Sequence, residues 1–161
     1  MLAKTVRVAR PQLTLALLKP DLCADAARVK AVYRAIDDAS LTRLHTRDVL
    51  WRPSGAEAFY AEHRGRFFYE RLGPFQALVL GGDDAIKRWR ALIGPTHPIR
   101  ARVNAPESLR SCYGLTDTRN SFHGSDSPDT ARREIAFFFP ELDVDACLTD
   151  WTASHTSTSA A

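Results

Sequence analysis

The segment from Gln12 to Leu18, QLTLALL, alternates around Thr14, then runs apolar until it stops at Lys19-Pro20-Asp21. An apolar run this short, ended by a proline, reads as a strand buried on both faces. From Ala24 the period changes, with Val29, Val32, Tyr33 and Ile36 recurring three and four residues apart, as on one face of a helix. A strand covered on both sides and followed at once by an amphipathic helix is a β-α unit, and it requires a sheet with helices packed on it. The unit recurs. Phe75 to Leu80, FQALVL, reads as a strand opened by Gly73-Pro74 and closed by Gly81-Gly82. Asp83 and Asp84 then sit where the positive end of a helix favours acids, and Ile86, Trp89, Leu92 and Ile93 form its apolar stripe.

Between the two units, Leu41 to Trp51 reads as another strand, and Ser54 with Glu57 three residues on is a capping box starting a helix that carries Phe59 and Tyr60. From Gly94 to about Arg119 periodicity is lost and the segment reads as a long loop, a length that in a compact domain usually signals function. Phe122 and His123 end a short strand. Ser127-Pro128 is an N-cap and N1 pair opening a helix through Phe138, with Ala131, Ile135 and Phe138 on one face. From Thr152 the chain is Ser, Thr and Ala and is expected to lack structure. The order of elements fits either a doubly wound parallel sheet or an antiparallel α+β sheet.

At 161 residues, 45% hydrophobic and 25% charged, the chain suits one globular core. Collagen, a disulfide scaffold and a membrane span are excluded. Residues 1–11 read as a basic tail, 12–151 as the domain and 152–161 as a disordered tail. Three cysteines, Cys23, Cys112 and Cys147, have no paired spacing and read as free thiols of a reducing compartment, the cytoplasm. The basic first ten residues would also fit a short mitochondrial presequence. A net charge of +3 is too small for a nucleic-acid scaffold and suits a small anionic ligand.

The densest chemistry lies in Asn120 to Ser127, NSFHGSDS. An imidazole beside a glycine and a helix start can act as a nucleophile near an anion, or His123 can simply end a strand while the serines cap. Glu134 lies two helical turns after Ser127, so its carboxylate returns to the capping face and could fix one ring nitrogen of His123. Lys19, after the end of a buried strand, suits a terminal phosphate or a surface turn. Arg88, Arg90, Arg100, Arg102 and Arg110 flank Thr96, and guanidinium groups match phosphate oxygens. Phe67 and Phe68 lie beside cations, where one could stack a base or both could be core. There is no Walker-type loop, and His45, His63, His97, His123 and His155 lack metal-ligand spacing, which argues against catalytic zinc.

Taken in order, Leu15 to Asp21 (LALLKPD), Tyr60 with Arg66 to Phe68, Gly73-Pro74, Arg90 to Pro98 (RALIGPTHP), Leu109-Arg110 and Arg119 to Ser127 followed by Glu134 resemble the nucleoside diphosphate kinases. Gly114 to Asn120 and a longer Pro98 to Arg110 loop make the chain most similar to the divergent type-6 members. The resemblance implies an α+β, ferredoxin-like βαββαβ antiparallel sheet. It also implies Mg2+-dependent transfer of the γ-phosphate of ATP to a nucleoside diphosphate, by a ping-pong route through phosphohistidine, the metal held mainly by nucleotide phosphates. By residue, it makes His123 the phosphate carrier and Glu134 its orienting partner. Lys19, Tyr60, Arg90, Thr96 and Arg110 take the phosphate and active-site contacts, Asn120 the ribose contact and Phe68 the base. It further implies nucleoside tri- and diphosphate partners and a homo-oligomer, hexamer or dimer. The alternative reading is a weakly active or inactive nucleotide-binding module of a larger assembly.

Overall fold

The central strand of the sheet is built from the doubly apolar segment. In a computed structural model, which describes residues 10–50 and 73–156, β1 (Pro11–Leu18) lies between β3 (Pro74–Asp83) and β4 (Phe122–Gly124), and β2 (Thr42–Leu50) pairs with the far side of β3. The order is β2-β3-β1-β4 and every pairing is antiparallel. Successive side chains point to opposite faces. Ala16 and Leu18 therefore join a core with Val32 and Ile36 of α2 (Ala26–Asp38) and Trp89 and Ile93 of α3 (Ala85–Ile93). Leu13, Leu15 and Leu17 join a second core with Ile135 and Phe138 of α6 (Pro128–Phe138) and with Leu148 of α7 (Val144–Thr156). Helices on both faces explain why β1 carries no polar alternation. This is the antiparallel α+β sheet with helices packed on it, of ferredoxin-like topology.

Several boundaries differ from the sequence reading, each for a local reason. A one-turn α1 (Pro20–Cys23) precedes α2, which starts at Ala26 because the Asp25 side chain accepts from the Ala27 and Arg28 N–H groups. Gly81 and Gly82 do not close β3; they pair with Leu13 and Gln12. A Cβ on Gly81 would stand 2.9 Å from Leu44 Cδ1 and 3.1 Å from Trp151 Cδ1, so glycine there admits α7 onto the strand. Asp84 precedes α3 at φ 51 without a side-chain cap bond.

The segment read as one loop contains α4 (Pro98–Asn104) and α5 (Leu109–Tyr113). Helices of seven and five residues show too few turns for a periodic stripe, and their only written signals are Pro98 at the first turn and the Ser108 cap. Residues 152–156, expected to lack structure, belong to α7. That helix lacks a strong apolar stripe, but Thr152 donates to the Leu148 carbonyl and Trp151 is buried. The Trp151 ring also stacks on His155 at 4.3 Å. The helix expected after Ser54, with Phe59 and Tyr60, lies outside the described residues, as do Trp51, His63, Phe67 and Phe68. Among the described residues no helix is long and apolar enough to cross a membrane.

Candidate active site

β4 is a three-residue edge strand, and the site is assembled around it. His123 is the register partner of Leu17, so its side chain shares the face covered by α6. There His123 Nε2 lies 3.0 Å from Glu134 Oε1, the contact expected from the two-turn spacing. The second carboxylate oxygen accepts from Ser125 Oγ at 2.6 Å, and that hydroxyl, fully buried, accepts from the Leu15 N–H at 3.2 Å. A backbone donor of the central strand thus holds the serine, the serine holds the carboxylate, and the carboxylate holds the imidazole. A carboxylate on Nε2 favours the tautomer with its proton there and its lone pair on Nδ1. From the sequence Ser125 reads only as a capping residue; its position two residues after the histidine, before the true cap at Ser127, is the signal of its role.

Among the described residues no strand lies on the outer edge of β4; arginine side chains meet the Phe122 and Gly124 carbonyls there, while the His123 carbonyl, turned towards Leu17 of β1, also takes an indole donor. The Phe122 carbonyl accepts from Arg110 Nη2 at 3.0 Å, the His123 carbonyl from Trp89 Nε1 at 2.9 Å and the Gly124 carbonyl from Arg90 Nη1 at 3.4 Å. Arg110 Nη1 also donates to the Gly94 carbonyl at 2.6 Å. Just before the strand Ser121 adopts φ 66, and its hydroxyl donates to Asp21 Oδ2 at 2.6 Å, tying the turn to α1.

Lys19, at the end of β1, reaches the turn that leads into β4. Its N–H donates to the Ser121 carbonyl and its Nζ to Asn120 Oδ1 at 2.8 Å, while Asn120 Nδ2 donates to the Asp117 carbonyl. Burial, with Arg110 nearby, pushes the Lys19 ammonium down to about 8, against an opposing pull from Asp21. Burial and Arg90 likewise lower Arg110, whose Nε is buried without a hydrogen-bond partner. Lys19 and Arg110, both lowered by burial and a neighbouring cation, with a donor unused, form a site whose electrostatic cost an anion would relieve.

The structure therefore brings together Lys19, Arg90, Arg110, Asn120, His123 and Glu134. Thr96 is exposed between α3 and α4; Tyr60 and Phe68 lie outside the described residues. Trp89, read as a member of the α3 apolar stripe, was missed as a site residue. Among the described residues no group of three His, Cys, Asp or Glu side chains could hold a metal ion.

An imidazole fixed by a carboxylate beside clustered cations, on an antiparallel α+β sheet, defines a site of the phosphate-handling class. The nucleoside diphosphate kinase family model matches residues 12–144, and the chain belongs to that family. It is 48% identical over 140 residues to nucleoside diphosphate kinase 6 of Danio rerio, across 83% of this chain and 79% of that protein. It is 50% identical over 137 residues to nucleoside diphosphate kinase 6 of Homo sapiens, across 81% and 74%. Among solved structures, the nucleoside diphosphate kinase of Aquifex aeolicus superposes with a TM-score of 0.74 at 38% identity, covering 81% of this chain and 96% of that one. That of Encephalitozoon cuniculi gives 0.71 at 25% identity, covering 79% and 88%.

Proposed function

We propose that the protein is a nucleoside diphosphate kinase that moves the γ-phosphate of ATP to a nucleoside diphosphate through phospho-His123. The observation that carries this reading is the 3.0 Å contact of His123 Nε2 with Glu134 beside the Lys19, Arg90 and Arg110 cations. Glu134 holds the proton on Nε2, and the Nδ1 lone pair attacks the γ-phosphorus. The bond from that phosphorus to the β,γ-bridging oxygen breaks, and the first nucleoside diphosphate leaves. In the second half a terminal oxygen of the acceptor diphosphate attacks the phosphorus, the N–P bond breaks and the imidazole is restored. Such transfer asks mainly for positioning and charge stabilisation, which Lys19, Arg90 and Arg110 are suited to supply.

Mg2+ belongs to this reading as an ion held mainly by phosphate oxygens, where it would neutralise charge on the transferring group. In the same proposal Thr96 and Tyr60 contact phosphate and the active site, Asn120 the ribose and Phe68 the base, and the working form is a homo-oligomer.

The test is incubation of the purified protein with γ-labelled ATP and Mg2+. The expected product is an acid-labile, base-stable phosphoprotein that a nucleoside diphosphate discharges, absent from His123→Ala. No label on wild type, or label persisting on His123→Ala, overturns the reading. Light scattering on the same sample is expected to report more than one subunit.

A further inference from the structure

Each of the three β4 carbonyls receives a side-chain donor, but the donors differ in kind. Arg110 and Arg90, on Phe122 and Gly124, are cations whose remaining N–H donors a phosphate would engage, drawing the guanidinium groups towards it. Trp89, on the central carbonyl, is uncharged, fully buried and donates through its single N–H to the backbone of the histidine itself. Its ring meets Phe122 edge-on at 6.0 Å. Gly124 makes the approach possible, since a Cβ there would stand 2.6 Å from Trp89 Cδ1 and 2.8 Å from Nε1. Trp89 and Arg90 are successive residues of α3, so one helix turn sends one side chain under the strand and the next to its rim.

We infer that Trp89 is a positioning residue for His123, pinning the nucleophile's backbone through its Nε1–His123 carbonyl bond while Arg90 and Arg110 engage phosphate. This rests on the kinase reading. Its consequence is that loss of the indole N–H leaves nucleotide binding intact and slows transfer, because a nucleophile displaced by even a fraction of an ångström loses alignment.

Two variants remove the donor: Trp89→Phe, and replacement of the Trp89 indole by its benzothiophene isostere, which keeps the bicyclic ring and the packing. In single-turnover phosphorylation by ATP, both are expected to react about 10-fold more slowly than wild type, with nucleotide dissociation constants unchanged. The His123 ring 15N resonances should shift in both, reporting a changed bond to Glu134. A purely structural role predicts instead a lower melting temperature with the rate and ring resonances of the folded protein at wild-type values, and that result overturns the proposal. If wild type takes no phosphate, the kinase reading fails, and the ring resonances alone decide whether Trp89 positions the imidazole.

Discussion

Glu134 and Ser125 act on His123 as a short relay, and its parts make separable predictions. Glu134→Gln keeps the side-chain size but loses the charge that fixes the tautomer, so phosphate incorporation is expected to fall by roughly 10²-fold, read as the single-turnover rate. Lys19 makes a prediction about pH. Its ammonium, buried beside Arg110, is held at about 8 against an ordinary 10.5, so between those values the unfolded chain binds more protons than the folded one. Stability relative to a Lys19→Met variant therefore rises as pH climbs from 8 towards 10.5, by up to about 3 kcal/mol, measured as the difference in urea unfolding free energy. The affinity of the site for nucleoside triphosphate moves the other way, weakening as pH passes 8 and the ammonium loses its charge. The two trends share one cause, a cation kept in a poorly solvated place.

Among the elements, α6 and the α3–α5 junction were legible to different degrees. Ser127-Pro128 announced α6, and the structure has Ser127 Oγ accepting from the Thr130 N–H at 3.2 Å; Ser127→Ala is expected to cost about 1 kcal/mol, seen as a lower urea midpoint at unchanged slope. Because both Ser127 and Glu134 sit on this one helix, their mutual placement followed from helical geometry alone. The α3–α5 junction gave no such signal. Gly94 stands at φ 78, and a Cβ there would lie 2.4 Å from the Ser108 side chain, the residue that caps α5 and precedes Arg110. Gly94→Ala is expected to cost about 1–3 kcal/mol in thermal unfolding and to weaken phosphate binding, because it displaces the helix that carries Arg110.

Across the whole molecule, the C-terminal helix completes the fold beyond residue 144, where the family match ends. Trp151 is 8% exposed and packs against Gly81 of the sheet. Trp151→Ala is therefore expected to lose about 3 kcal/mol or more of stability, by calorimetry or urea unfolding. A helix without strong apolar periodicity cannot be read as a helix from its pattern; here one large buried ring and hydroxyls donating to carbonyls four residues back hold it in place.

What is local could be read along the chain: a first strand buried on both faces, the cap that starts α6, the spacing that returns Glu134 to His123, and a collinear set of motifs belonging to one family. Tertiary structure alone decided what depends on strand order. Lys19 meets Asn120 across 101 positions because β1 and β4 are neighbours in the sheet, and Arg110 and Arg90 reach the Phe122 and Gly124 carbonyls because these turn away from β1 at the edge of the sheet. Periodicity describes one element at a time, whereas a free sheet edge exists only once the elements are assembled.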